Sequence, residues 1–153
     1  MVENLDQAVC TAVIETFENM TFMEVLSLLS VEDPEPVLLE SLGVSLPVTE
    51  PFEGHFSLFL PRLLLTDIAE TVYVMGEDQI DAGILHDILA ELLNTIAGKI
   101  LQEALPEDQL FSLGLPQAVK KKKSEPGQVL QKWFFEVQES LFCVTFSGEK
   151  PVS

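Results

Sequence analysis

Basic residues are scarce: there are 8 against 25 acidic ones, for a formal net charge of −17. Half of them form one run, Lys120 to Lys123. Nucleic acid is bound by counterion release at a basic surface, so this shortage sets nucleic acid aside as a partner. The same charge disfavours an anionic membrane and favours a partner with a basic rim. Cysteine and histidine are equally sparse, at two each. Cys10 and Cys143 make no Cys-x-x-Cys pair, and with only His55 and His86 no zinc cluster or histidine-rich metal site can be assembled. Both cysteines read as small core residues. Also missing are a basic-then-apolar leader and any run of 18 apolar residues. Membrane insertion is therefore not expected, and a cytoplasmic protein with reduced thiols is. No phosphate-loop, Gly-x-Ser-x-Gly, Gly-x-Gly-x-x-Gly or His-Glu-x-x-His signature occurs.

What is present suits one globular domain over residues 1–153, since 47% of the chain is hydrophobic and 22% charged. Leu5, Val9, Val13, Phe17 and Met20, with Ala8 and Ala12, recur at helical spacing and predict a first amphipathic helix. The acidic, proline-rich stretch from Val31 to Pro36 breaks it. Strands are expected over Val37–Pro47 and Phe52–Leu60; in the second, Phe56, Leu58 and Leu60 alternate with His55, Ser57 and Phe59. Pro61 suits the first turn of a second helix, with Leu64, Ile68, Val72 and Met75 buried and Gly76 as its stop. Asp78 or Asp81 caps a long third helix running to about Leu105. Three further strands follow, Leu110–Leu115, Val129–Val137 and Leu141–Phe146, the last two joined as a hairpin through Gln138-Glu139-Ser140. The order α-β-β-α-α-β-β-β with short links predicts an α+β fold, an antiparallel sheet with long helices on one face.

The third helix contains His86-Asp87-Ile88-Leu89-Ala90-Glu91-Leu92-Leu93-Asn94-Thr95-Ile96-Ala97-Gly98. Asp87, Glu91, Asn94 and Gly98 stand four, three and four apart, so they share one face. A carboxylate and a carboxamide one turn apart can be a solvated stripe or a pair presented to a partner. In the second case they can act on a phosphoryl group belonging to another molecule. The amide of Asn94 has donors and an acceptor, and can hold a water in line with phosphorus. Glu91, acceptor-only when ionised, suits a lysine, and Gly98 leaves room for a close-fitting surface. His86 diverges from Asp87 by about 100° and reads as a surface or helix-start histidine. The tetralysine reads as a solvated loop. Trp133, with Phe134 and Phe135, reads as core, with an exposed recognition patch as the alternative.

At these residues the chain resembles the chemotaxis phosphatases typified by CheX, CheC and FliY. Their signature of an acidic or serine residue, three residues, glutamate, two residues and asparagine reads here Asp87-Ile-Leu-Ala-Glu91-Leu-Leu-Asn94, followed by Thr95-Ile-Ala97-Gly98. The flanking elements also match: an early helix ending near Phe17 and Met20, a strand into Pro61 and a helix, then a terminal hairpin. The resemblance implies an antiparallel sheet flanked by long helices and hydrolysis of the aspartyl phosphate on a CheY-like response-regulator receiver domain. It implies that Asn94 orients the attacking water, that Glu91 contacts the receiver's lysine, and that Asp87 and Gly98 lie at the partner surface. The partner would bring its own Mg²⁺ and phosphorylated aspartate, leaving no cofactor to this chain. Some relatives carry the motif twice, but the first helix offers Glu15-Thr16-Phe17-Glu18-Asn19, where glutamate and asparagine stand four apart. One site per chain is expected, in a CheX-like homodimer formed by sheet-edge pairing. Two other readings stay open: a non-catalytic adaptor that binds a receiver domain or flagellar switch component through the same helix, and a dimeric scaffold whose polar stripe faces water.

Overall fold

The computed structural model describes residues 5–28, 41–119 and 129–148. The first helix, α1 (Leu5–Thr21), buries Ala8, Val9, Ala12, Val13, Thr16 and Phe17 on one side. A short strand, β1 (Leu26–Leu28), follows it. Then come β2 (Ser41–Glu50), β3 (Gly54–Pro61), α2 (Arg62–Thr71), a single 3₁₀ turn at Glu77–Gln79 and the long α3 (Ala82–Ala104). Two short strands, β4 (Ser112–Leu113) and β5 (Gln117–Val119), precede the hairpin of β6 (Val129–Val137) and β7 (Ser140–Gly148).

All strand pairings are antiparallel, in the order β1-β6-β7-β3-β2, with β4 and β5 both on the outer edge of β2. The α+β architecture expected from the sequence is the one observed. Register explains which side chains reach the core. Val44 pairs with Leu58, Leu58 with Val144, and Val144 with Trp133, so one row crosses four strands on the helix-covered face. The next row, Gly43, Phe59, Cys143, Phe134 and Leu28, lies on the opposite face because successive residues of a strand alternate. An added Cβ on Gly43 would sit 2.6 Å from the Phe59 ring, so a larger residue there would force that ring to move. Cys143 is buried between its aromatic neighbours in this row, and burial pushes its thiol up to about 12 against small opposing effects of Lys132 and a Trp133 backbone hydrogen bond.

Helix α3 packs on β2 and β3, α2 on β3, and α1 on α3 and β6. Phe17 of α1 stacks on Phe142 at 4.8 Å, and Phe142 on Phe135 at 5.2 Å, a ladder of rings that ties the first helix to the terminal hairpin. The hairpin turns at Gln138 (φ 50°) and Glu139 (φ 67°), so the link is two residues and Ser140 already pairs with Val137.

Several boundaries differ from the sequence reading. Gly76 does not stop α2: the helix ends at Thr71, and Val74 takes the left-handed conformation at φ 52°. The expected strand over Leu110–Leu115 contracts to Ser112–Leu113, with Leu110 and Leu115 exposed. Cys10 is only half-buried, its Sγ 3.3 Å from the Ser27 hydroxyl. Trp133 lies at the core's edge, half-buried, and donates its indole N–H to Asp6 at 2.9 Å. The acidic, proline-rich stretch, the start of the expected Val37–Pro47 strand and Lys120 to Lys123 fall outside the described residues.

Candidate functional site

Helix α3 begins where the Asp81 carboxylate accepts the Ile84 backbone N–H at 2.9 Å, one of the two caps expected from the sequence. It ends at Leu105, extended before Pro106. Its 23 residues make a rod about 34 Å long. Leu85, Ile88, Leu89, Leu92, Leu93, Ile96, Ala97, Ile100 and Leu101 are buried, which fixes the rod's rotation against the sheet. Asp87, Glu91 and Asn94 consequently face outward and are exposed, and Gly98 is partly so. At 100° per residue, these four positions fall within a sector of about 60°. The Cβ atoms of Glu91 and Asn94 are therefore neighbours, about 5–6 Å apart by helix geometry.

The rigidity of the mount matters as much as the exposure. Both side chains spring from the middle of a helix whose opposite face is sealed in the core, so their backbones have little freedom to move. Among the described residues, and apart from the helix's own adjacent backbone, nothing lies within 4 Å of a Cβ built on Gly98. Glycine here is therefore not demanded by internal packing, although it lowers helix stability by about 1 kcal/mol relative to alanine.

One side chain that the motif does not contain joins the site. Tyr73 lies half-buried in the turn after α2, near enough to Glu91 for the carboxylate to bear on its phenol. Burial first, then the negative charge of Glu91 and the hydrogen bond given to it, raise the phenol's pKa above its usual value. The turn is tight: Val72 N–H reaches Ile68 O at 2.8 Å and Met75 N–H reaches Ala69 O at 3.1 Å. Between them Val74 is 82% exposed in its left-handed conformation. That backbone conformation costs a β-branched residue about 1–3 kcal/mol. Sequence spacing could not reveal Tyr73, because it neighbours Glu91 through the packing of α2 and α3.

The other candidates separate from this face. Among the described residues, His86 is half-buried with Nε2 shielded and without a hydrogen-bond partner, and no group of three His, Cys, Asp or Glu is placed to hold a metal. A small concavity between α1 and α3, lined by Ala8, Thr11, Glu15, Lys99 and Gln102 among others, does not include Glu91 or Asn94. The pair projects from a convex helix, a shape suited to entering another molecule's cleft. Among the described residues, no helix is long and apolar enough to cross a membrane.

Comparison with known proteins identifies the family and the fold. The family model described as chemotaxis phosphatase CheX matches residues 42–137, more than half of the chain and inclusive of the whole of α3. Comparison with curated proteins gives no significant match. Among solved structures, the chain is similar to the chemotaxis protein CheX of Vibrio vulnificus at a TM-score of 0.72 and 12% identity, over 94% of this chain and 95% of that one. It is similar to the CheX–CheY–BeF₃–Mg²⁺ complex of Borrelia burgdorferi at a TM-score of 0.71 and 13% identity, over 96% and 99%. It is also similar to FliY of Thermotoga maritima, at a TM-score of 0.62 and 14% identity, over 95% and 86%. At these identities the structural likenesses speak for the fold.

Proposed function

The chain belongs to the CheX family of chemotaxis phosphatases, and from that premise we propose that it hydrolyses the aspartyl phosphate of a CheY-like receiver domain. In this reading Asn94 positions the attacking water and Glu91 contacts the receiver's lysine. The observation that supports it most is the shared exposed face: Glu91 and Asn94 stand side by side on a helix otherwise locked into the core. The structural neighbour solved with CheY, BeF₃ and Mg²⁺ points to the same partner class.

The chemistry asks little of this chain beyond position. Water oxygen bonds to phosphorus as the receiver's aspartate oxygen leaves, giving inorganic phosphate and a free carboxylate. Phosphoryl transfer is catalysed mainly by alignment and electrostatics, so a carboxamide that fixes one water in line supplies a large part of what is required. Glu91 pairs with the lysine ammonium and sets the register of docking. Mg²⁺ belongs to the receiver in this reading, and no cofactor to this chain. Asp87 and the bare Gly98 flank the contact, the glycine letting the partner's backbone approach. The protein would act in the cytoplasm, where such receivers work. A homodimer would use the sheet edges, which among the described residues are short strands, β1 on one side and β4 with β5 on the other.

The test mixes the protein with a phosphorylated receiver domain and follows loss of the phosphoryl group. The wild type accelerates that loss, and Asn94→Ala slows it by about one to three orders of magnitude, the effect of removing one preorganised donor. Binding without hydrolysis by the wild type would instead select the adaptor reading.

A further inference from the structure

Charge around the outward face of α3 is one-sided. Residues 63–98, from α2 through the 3₁₀ turn to Gly98, contain seven carboxylates and neither lysine nor arginine. Asp67 and Glu70 belong to α2, Glu77 and Asp78 to the 3₁₀ turn, Asp81 caps α3, and Asp87 and Glu91 stand on its exposed stripe. All are exposed except Asp67, which is half-buried. Among the described residues the only ion pair joins Lys99 to Glu15, so none of the seven is neutralised by a neighbour. By helix rise, Asp87 stands about 6 Å and Asp81 about 15 Å from Glu91 along the rod. Exposed charges are screened over about 10 Å at 0.1 M salt and about 30 Å at 0.01 M. The fields of these groups therefore overlap at the Glu91–Asn94 pair when salt is low.

We propose that this acidic surround selects the partner: α3 docks a receiver domain whose active-site cleft is rimmed by a surplus of lysine and arginine, and disfavours one with an acidic rim. That the occupant is a receiver rests on the phosphatase reading above, and its basic rim on charge complementarity with this face. A single lysine in the cleft answers Glu91 and leaves the carboxylates around it without a counter-charge. A basic rim supplies one, whereas an acidic rim adds like-charge repulsion. Exposed charges of this kind act mainly on encounter, because opposite faces steer one another before contact and the effect fades with salt. Turnover after docking is set by Asn94 and does not depend on the rim.

The experiment uses the full chain and one CheY-like receiver prepared in two forms, with rim positions outside its active site made basic or acidic. Association is followed by stopped flow between about 0.01 and 0.3 M salt, and turnover of the phosphorylated receiver in parallel. At low salt the basic-rimmed form associates at least about 10-fold faster than the acidic one, and the difference collapses as salt rises. Glu70→Gln, Glu77→Gln and Asp78→Asn together slow association with the basic form about 3- to 10-fold at low salt. They flatten its salt dependence and leave kcat within about 2-fold. The control removes the same charge elsewhere, by Glu50→Gln, Glu53→Gln and Glu107→Gln. These exposed residues lie at the β2–β3 turn and beyond the C-terminus of α3, and their loss changes association by less than about 2-fold. Equal slowing by the two triple variants would show that net charge alone acts, and would overturn the local assignment. Association indifferent to salt, or faster with the acidic rim, would overturn the choice of partner. A wild type that binds the basic form with this salt dependence but does not turn it over sinks the phosphatase reading and leaves this inference standing.

Discussion

The two long helices α1 and α3 lie against each other, both amphipathic, and both carry carboxylates and an asparagine on the side that faces away from the core. They differ in three respects. Glu15 and Asn19 are four apart, with Glu18 where an asparagine would be needed, whereas Glu91 and Asn94 are three apart. Glu15 lies 3.9 Å from Lys99, an exposed ion pair that ties it to the neighbouring helix, whereas Glu91 makes no ion pair among the described residues. Finally, α3 bares a glycine beside its polar pair, where a partner can approach. A polar helix face becomes a candidate site through the spacing of its groups and the support behind them, since the residue types alone are shared by both helices.

The comparison can be sharpened first on stability. Ile96→Ala, on the buried face of α3, lowers unfolding free energy by about 2–5 kcal/mol, while exposed Asn94→Ala and Asn19→Ala each stay within about 0.5 kcal/mol; urea unfolding measures all three. If Asn94→Ala destabilised as much as Ile96→Ala, the two-faced description of α3 would be wrong. Next, Gly98→Ala stabilises the fold by about 0.5–1 kcal/mol yet weakens receiver binding, measured by calorimetry. Tighter or unchanged binding would remove Gly98 from the contact. The smallest effect belongs to α1: Glu15→Gln changes stability by less than about 1 kcal/mol at low salt, less still at high salt, because its ion pair with Lys99 is solvent-screened.

Alkaline pH probes the sheet and the α3 site together. Cys143 and Tyr73 both have folded pKa values raised above their ordinary 9.0 and 10.0. Their neutral forms are favoured in the fold, so the associated stability is fully present below pH 9 and is lost as pH rises toward the folded values, about 12 for Cys143. Denaturation midpoints should therefore fall from about pH 9 upward. Tyr73→Phe should remove the part of that fall belonging to the phenol.

Much of this was legible in the chain because long, periodic segments declare themselves. The 3.6-residue rhythm of α3, its Asp81 cap and the Glu91–Asn94 spacing are local, and the aromatic and β-branched runs of β6 and β7 needed no partner to be recognised. Strands of three residues, β1 and β5, are too short for any alternation to show, and they exist by pairing with β6 and β2. Glycine is the usual stop for a helix, which pointed to Gly76. The helix instead ends at Thr71 and the positive φ falls on Val74, where local propensity opposes it. Tyr73 was missed for a related reason: its place beside Glu91 comes from the docking of two helices, and no one-dimensional spacing encodes it.

The most direct measurement sets Asn94→Ala beside Asn19→Ala with a phosphorylated receiver domain under single-turnover conditions. The account predicts phosphoryl loss slowed by about one to three orders of magnitude for Asn94→Ala, and a wild-type rate for Asn19→Ala. Wild-type rates for both proteins, or a loss confined to Asn19→Ala, would contradict it.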